Sequence, residues 1–290
     1  MSDTDAENET NSTTDERSDD GLAEDGQPAA TITGSTTNLR RMVTESSVLA
    51  SGDPLYDRLY VNVTDGQVNL VGGTRSGGVM SYCTYDSEYF KEASGEVEAV
   101  VEVAAFLNYL DIASDGGQLT LRFHQDDDAR LAQQLEIAGK LTSSIMLPSG
   151  SSVMQNIPLG VIQRFDDDDE MLDGAGDQLS TKIWTTAGDL SKIVDAVALQ
   201  DSESFYPVVV EDGEFVIELG NRQTQYISGD LSGEVEGDDV HNEFADEFET
   251  IVDSLSGDVQ ISTEEGQVGS FVVDGSDHVT RTVMGVARDG

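Results

Sequence analysis

The residues of this sequence whose side chains could carry chemistry are few and scattered. The densest group is the acidic run Asp166–Glu170, and carboxylates at alternating positions are the ligands that Ca²⁺ prefers. A calcium loop also needs a glycine at its sixth position and a glutamate at its twelfth. Counting from Asp169 gives Gly174 at the sixth position but Ser180 at the twelfth. The run therefore fits solvated carboxylates that attract hydrated cations better than a specific metal site.

The other chemistry-bearing residues do not form a catalytic set either. His124, His241 and His278 lie far apart and lack a cysteine or histidine at ligand spacing, which argues against zinc. Cys83 is the only cysteine and lies in an alternating apolar segment, so burial is the favoured interpretation over nucleophilic reactivity. No glycine-rich phosphate loop precedes a helix. We expect a protein that is not an enzyme and that uses neither a metal nor a cofactor.

The charge of the chain excludes several classes of function. Its 290 residues include 57 Asp and Glu against 15 Lys and Arg, which gives a formal net charge of −42. Basic surfaces that grip phosphates need clustered Lys and Arg, so tight nucleic-acid binding cannot dominate. No apolar run approaches the roughly 20 residues of a membrane span, and the first 30 residues do not resemble a secretory leader. The expected location is the cytoplasm.

The acidic residues divide between a tail and a folded body. The first 30 residues hold ten acidic side chains and one Arg among many polar residues, which predicts a disordered acidic tail over 1–33. The remainder keeps regular apolar periodicity despite its charge. Four Lys against eleven Arg, with this acidity, is typical of a halophile's proteome. In concentrated salt the self-repulsion is screened within about 3 Å, so the charge indicates habitat before it indicates partners.

Behind the tail, the first half of the body predicts a helix followed by a hairpin. Apolar residues at helical spacing predict a helix over Leu39–Ala50, with Thr37 or Asn38 as its N-cap. Alternating apolar strands then flank Asp65-Gly66, a dipeptide that favours a tight hairpin turn.

The second half repeats this order. A helix is predicted over Leu190–Val197, with Thr186 and Asp189 at the spacing of a capping box. Alternating strands again flank an Asp-Gly turn, here Asp212-Gly213. Such agreement in order and turn chemistry indicates a duplicated unit.

Each half continues with a further helix and strand. The helices are predicted over Val103–Leu110 and Phe244–Leu255. The predicted fold class is α+β, with two similar domains that each place two helices on a mostly antiparallel sheet. The domains span 34–148 and 180–290, and a long linker spans 149–179 between them.

Three segments resemble the proliferating cell nuclear antigen (PCNA) family of DNA sliding clamps, in a halophilic archaeal or haloviral form. They are the hairpin Leu59–Val71, the strand and helix Ser180–Ile193, and the closing strands Gly257–Arg288. The resemblance covers about residues 36–288 as a pattern of elements. It implies a homotrimeric ring of the DNA clamp fold, with two domains per subunit and helices lining the pore. Such a ring holds DNA by topology, which reconciles a DNA-associated role with the charge.

The resemblance also implies which residues face DNA. Arg40, Arg41 and Lys192 match positions where the family places basic pore residues. On the other two helices, uncharged or acidic residues stand in place of bases, namely Asn108, Asp111, Asp246, Glu247 and Glu249. Passive encirclement, with cations bridging to the phosphates, is the mode that this pattern favours. The alternative for the two arginines is ordinary solvated surface.

Family members bind partner peptides in a front pocket. By position, the resemblance assigns this pocket to Gln67, Val68, Leu159, Val161, Ile162, Gly285 and Val286. The sequence departs from the family in lacking the usual proline near the end and in its longer linker. An alternative is that Val161 and Ile162 only pack onto the sheet.

Two functions remain open from the sequence. The first is a DNA polymerase processivity factor that encircles double-stranded DNA without sequence preference. Its partners would be DNA polymerase, other PIP-type clients, a clamp loader and two copies of itself, in the cytoplasm of an archaeal or virus-infected cell and without a membrane. The alternative is a diverged clamp-like protein that binds peptides or serves in a virion and does not encircle DNA.

Overall fold

The computed structural model describes residues 27–48, 54–64, 66–150, 152–200, 205–221 and 225–287. Residues 1–26 of the predicted tail lie outside this description. The last part of that predicted tail, from Ala30 onward, instead belongs to the first strand.

The two halves of the described chain have the same order of elements. In the first half these are β1 (Ala30–Ser35), α1 (Thr36–Ser46), β2 (Arg58–Thr64), β3 (Gln67–Gly73), β4 (Val79–Tyr85), β5 (Glu92–Gly95), β6 (Val97–Glu102), α2 (Val103–Ala113), β7 (Gln118–His124), β8 (Gln134–Ala138) and β9 (Thr142–Met146). In the second half they are β10 (Thr181–Thr186), α3 (Ala187–Ala198), β11 (Tyr206–Glu211), β12 (Glu214–Asn221), β13 (Gln225–Asp230), β14 (Glu234–Glu236), β15 (Val240–Phe244), α4 (Glu247–Ser254), β16 (Asp258–Thr263), β17 (Gly269–Asp274) and β18 (His278–Met284). The predicted α+β fold of two similar units is confirmed.

The strands form three antiparallel sheets, and one of them is shared by both halves. Its nine strands run in the order β14-β10-β16-β17-β18-β4-β3-β2-β6. The halves join where β18 pairs with β4, in a register from His278 opposite Tyr85 to Met284 opposite Val79. The other sheets belong to one half each, in the orders β5-β1-β7-β8-β9 and β13-β12-β11-β15.

The shared sheet buries both of its faces. Alternate strand residues point to opposite faces, so one face packs with all four helices into the main core. The predicted helix stripe of Leu39, Met42 and Val43 is buried in that core. A second cluster covers the opposite, outer face, where the linker lies on residues such as Tyr60 and Val71.

Two of the predicted local signals are confirmed. The Thr186 hydroxyl accepts a hydrogen bond from the Asp189 amide at 3.2 Å and donates to its carboxylate at 2.9 Å, so it caps α3 as expected. Asp212 and Gly213 both have positive φ angles, 53° and 76°, as a type I′ hairpin turn requires. In the first half, Asp65 lies outside the described residues.

Two other local predictions were wrong. The N-cap of α1 is Ser35, whose side chain accepts from the Asn38 amide at 3.0 Å, rather than Thr37 or Asn38 itself. The second helix of the C-terminal half begins at Glu247, and Phe244 ends the strand before it. Phe244 and Phe248 are four positions apart, as on one helix face, but they belong to different elements. Both are apolar because their rings stack in the core with centres 5.7 Å apart.

Candidate functional site

The three predicted pore bases lie on exposed helix surface, and each is engaged by a carboxylate. Arg40 on α1 forms an ion pair with Asp111 on α2. Arg41 donates to Glu45 at 2.6 Å, one turn further along α1, and this hydrogen bond raises the pKa of the arginine. Its Nη2 also lies 3.4 Å from Nε2 of His278, on β18. A phosphate that approached these bases would compete with the acids already bound to them.

Lys192 on α3 follows the same pattern. Its Nζ lies 2.5 Å from Oδ1 of Asp189, and the lysine side chain is 61% exposed. The hydrogen bond from Lys192 lowers the pKa of Asp189, and the bond from the Thr186 hydroxyl acts in the same direction. The lysine ammonium is therefore solvent-accessible but has a fixed acidic neighbour.

The exposed faces of α2, α3 and α4 carry carboxylates and, apart from Lys192, no base. Exposed carboxylates stand on α2, α3 and α4, or at their ends, namely Asp111, Asp195, Asp246, Glu249 and Asp253. Fixed negative charge on this face weakens direct phosphate contact unless salt screens it.

The predicted partner-pocket residues divide between two places. Three chain segments meet at one end of β3 and β4, where the Gly285 amide donates to the Gly78 carbonyl at 2.9 Å. Pro158 of the linker packs on Gly73, since a Cβ at that glycine would come within 2.7 Å of the proline ring. The β3–β4 loop, the linker and the chain segment after β18 therefore form one surface.

Gln67 and Val68 lie at the other end of β3. Val68 and Gly73 are five positions apart along the strand, a distance of about 17 Å. Val68 is fully buried in the main core, while Gln67 donates to Asp86 at 3.3 Å. The structure thus brings the linker and the C-terminal residues together with the loop 74–78, which sequence reasoning missed. Its Thr-Arg-Ser-Gly-Gly composition is the turn signal that marks this second loop.

The linker residues differ in how they face the solvent. Leu159–Arg164 forms a short 3₁₀ segment, in which Val161 is 1% exposed and packs on the outer face of the shared sheet. Ile162 next to it is 38% exposed, and Leu159 is partly buried. Val286 is partly buried against the main core.

A cleft of about 920 Å³ opens beside this surface. It lies between the start of β2, the end of β3, the first turn of α2 and the linker, and it is lined by Pro54, Leu55, Asp57, Arg58, Gly73, Thr74, Arg75, Glu102, Ala104, Ala105, Asn156 and Ile157. Its charged residues pair with one another, Arg75 with Asp57 at 2.7 Å and Arg58 with Glu102 at 3.3 Å. The cleft is therefore lined by polar and apolar side chains in similar measure, and its charged residues are paired with one another.

Six strands end the three sheets among the described residues, and two of them are of interest for assembly. They are β9 in the first half and β13 in the second, and each has one strand partner among the described residues. In the duplicated order of elements, β9 corresponds to β18 and β13 corresponds to β4. Apolar side chains are exposed around β9, with Met146 at 72%, Leu141 at 56% and Ile112 at 57%.

Neither a metal cluster nor a reactive thiol is found in the part of the chain that the structure describes. No group of three or more potential metal-ligating side chains occurs among the described residues. Burial raises the pKa of the Cys83 thiol to about 11, so that the thiolate is scarce. Within the same ranges, no helix has the length and apolar character needed to span a membrane.

The fold is that of DNA sliding clamps. The solved structure "C-terminal region of FEN-1 bound to A. fulgidus PCNA" matches with a TM-score of 0.68 and 12% identity, over 90% of this chain and 99% of that one. PCNA from Thermococcus kodakaraensis matches with a TM-score of 0.64 and 15% identity, over 89% and 100%. The DNA polymerase III β subunit of Thermotoga maritima matches with a TM-score of 0.64 and 12% identity, over 94% and 69%. No family model matches the sequence, and no curated protein matches it.

Proposed function

We propose that this protein is a sliding clamp, a homotrimeric ring that encircles duplex DNA and tethers replication and repair proteins without catalysing a reaction itself. The observation that carries the proposal is the pair of unpaired edges, β9 and β13, which correspond to the strands that already join the two halves. Pairing β13 of one copy with β9 of the next would repeat the β4–β18 junction between subunits. A head-to-tail contact of this kind generates a closed ring when the rotation that relates successive subunits brings the last copy back to the first.

The exposed residues at β9 support this contact. The Leu147 amide donates to the carbonyl of Gln133, the residue before β8, so alternation along the strand turns the amides of Ser144 and Met146 toward the open edge. The strand Thr142–Met146 contains no charged residue in a chain of net charge −42. A neutral edge with exposed apolar side chains avoids the repulsion that two acidic surfaces would feel on approach.

Enclosure of the duplex in a ring would explain how a protein with acidic helix faces can remain associated with DNA. In a ring the helices would line the pore, with Arg40, Arg41 and Lys192 as its basic groups. Because each already has a carboxylate neighbour, phosphate contacts would be weak, and the DNA would be held by topology. Concentrated salt would screen the exposed acids, in keeping with a halophilic archaeal or haloviral origin.

Client proteins would dock on the surface formed by the loop 74–78, the linker and the residues after β18. Ile162 would offer an apolar anchor there, and the adjacent cleft would take the flanking part of the peptide. The similar A. fulgidus clamp has the C-terminal region of FEN-1 bound to it, which makes that peptide a suitable probe. DNA polymerase and a clamp loader are the other expected partners.

The test uses two variants that make the same chemical change at different exposed apolar side chains. Met146→Asp would place a charge on the β9 edge, and Ile162→Asp would place one on the linker. In about 2–3 M KCl, where surface charge is screened, we expect light scattering to give a trimer for the wild type and for Ile162→Asp. Met146→Asp should give a monomer that still binds the FEN-1 peptide, whereas Ile162→Asp should bind it at least tenfold more weakly.

The acidic helix faces favour one second candidate, a clamp-like peptide-binding protein that does not encircle DNA. A wild-type monomer at all micromolar concentrations, with peptide affinity intact, would support that candidate and contradict the ring. A trimer whose mass is unchanged by Met146→Asp would place the subunit contact elsewhere.

A further inference from the structure

Part of the acidic run of the linker is attached to the protein, although Asp167 and Asp168 are exposed. Its last two residues, Asp169 and Glu170, reach basic side chains on the outer face of the shared sheet. Asp169 forms an ion pair with Arg281 on β18, and Glu170 forms one with Lys182 on β10 at 2.9 Å. The sequence analysis predicted solvated carboxylates here, but Asp169 and Glu170 attach the linker to the second half.

Arg281 is buried at the junction between the halves. It lies on β18 opposite Tyr82 of β4, and the whole residue is 6% exposed. Its Nε donates to Oδ1 of Asp169 at 2.7 Å, and its Nη1 donates to Oγ1 of Thr84 at 3.2 Å. The guanidinium carbon stands 4.8 Å from the Tyr82 ring centre and 5.9 Å from that of Phe165. One side chain therefore contacts both halves and the linker.

The loop that carries Asp169 is already shaped for this contact. Asp169 has a φ of 64°, in the left-handed region that aspartate tolerates better than most residues. The Asp166 carboxylate holds the turn by accepting from the amides of Asp168 at 3.0 Å and Glu170 at 2.9 Å. Its other oxygen accepts from Gln178 at 2.7 Å, which ties the turn to the end of the linker.

The turn is connected directly to the proposed client-binding segment. The Leu172 amide donates to the carbonyl of Arg164, the last residue of the 3₁₀ segment, at 2.7 Å. Phe165, next in the chain, stacks near Arg281. Met171 is fully buried in the same cluster as Val161. Movement of the turn would therefore move the end of the segment that presents Ile162.

We infer that Arg281 is a positioning residue that holds the linker, and with it the client-binding segment, across the junction of the two halves. The inference rests on the proposed function for the meaning of that segment, but the attachment itself can be tested without it. A buried guanidinium requires a paired anion, which Asp169 supplies from the linker. Burial also protects the pair from salt, whereas the exposed pair Arg75–Asp57 would be screened.

The experiment compares two substitutions that remove the same charge from adjacent residues. Asp169→Asn breaks the contact to Arg281, and Asp168→Asn is the matched control, because the Asp168 side chain is exposed and the described residues show no ion pair to it. Hydrogen exchange of the backbone amides over 161–172 is the first measurement, in about 2–3 M KCl, where exposed pairs are screened. We expect at least tenfold faster exchange in Asp169→Asn and no change in Asp168→Asn.

Asp169→Asn leaves the buried Arg281 guanidinium without its anion, which could unfold the protein. A second variant, Arg281→Met, avoids this because it removes the charge and keeps an apolar side chain between Tyr82 and Phe165. It should show the same faster exchange over 161–172 while the amides of β4 and β18 keep their protection. Asp169→Glu, which restores the carboxylate, should recover part of the protection. The FEN-1 peptide should bind Asp169→Asn and Arg281→Met several-fold more weakly than Asp168→Asn, at unchanged oligomeric mass.

The outcomes distinguish the proposed role of Arg281 from the proposed function of the protein. Equal exchange over 161–172 in Asp169→Asn and Asp168→Asn would overturn the role of Arg281, whatever the oligomeric state. Faster exchange with unchanged peptide affinity would also overturn it, because the linker would then be attached without positioning the client segment. A monomeric wild type that does not bind the peptide would contradict the proposed function, while the exchange comparison still decides the attachment.

Discussion

Truncating Val161 and Ile162 one at a time distinguishes the two roles proposed for these adjacent linker residues. Val161 is 1% exposed and lies in the same buried cluster as Val71 and Val283 of the shared sheet, so Val161→Ala deletes two buried methyl groups. At about 0.8 kcal/mol per group, with a further contribution for the cavity, we expect the free energy of unfolding to fall by about 2 kcal/mol. Ile162 is 38% exposed, and Ile162→Ala should cost about 0.5 kcal/mol or less.

Peptide affinity should respond in the opposite order. If Ile162 contacts a client, Ile162→Ala should weaken FEN-1 peptide binding about tenfold, which corresponds to about 1.4 kcal/mol. Val161→Ala should weaken binding less, since its side chain faces the sheet. Urea unfolding in concentrated KCl and titration calorimetry measure the two quantities on the same preparations. The reasoning is refuted if Ile162→Ala destabilises the protein as much as Val161→Ala, or if Val161→Ala alone abolishes binding.

Three further predictions follow from contacts elsewhere in the chain. Gly73→Ala should displace Pro158 and destabilise the linker, because the added Cβ would lie 2.7 Å from the proline ring; Gly160→Ala, which meets nothing within 4 Å, is the control, and equal melting temperatures would contradict the packing. The pKa of Asp189 is lowered in the folded state. The contribution of this carboxylate to folding stability is therefore complete above its unfolded-state pKa of about 3.9, and it is lost as the pH falls through the lowered folded-state pKa. Asp189→Asn should therefore cost about 1 kcal/mol at neutral pH and less in acid, and a pH-independent difference in urea unfolding would oppose this. The double variant Arg40→Glu, Arg41→Glu should reduce polymerase processivity while leaving the trimer mass unchanged, and unchanged processivity would make these arginines ordinary surface.

Much of the fold could be predicted from the sequence, because its signals are local. Apolar periodicity, the Asp212-Gly213 turn and the Thr186 cap each depend on residues close in the chain, and together they indicate the duplication. The helical prediction for Phe244 fails because its strand lacks clean alternation. The inward position before it is Asn242, which is fully buried and donates to Thr263 at 2.7 Å and to the Glu264 carbonyl at 2.9 Å. A polar residue satisfied by distant partners hides the period of the strand.

The candidate sites were harder to predict because they depend on contacts that are distant in sequence. The resemblance places Gln67 in the partner pocket by its position near the first hairpin turn, whereas the residues after β18 meet the next loop, where Gly285 bonds to Gly78. The role of Asp169 likewise depends on Arg281, 112 positions away. Composition shows that acids are abundant but not which of them face a buried guanidinium.

Retention on DNA with blocked ends tests the central claim of enclosure most directly. The protein would first be loaded onto a linear duplex, and both ends of the duplex would then be blocked with bulky groups. Gel filtration would separate DNA-bound from free protein in about 2 M KCl, where phosphate contacts are largely lost. We predict that the wild type stays on the blocked duplex and is released when the duplex is cut, while Met146→Asp is not retained. Equal retention on blocked and cut DNA, or none on either, would contradict the ring.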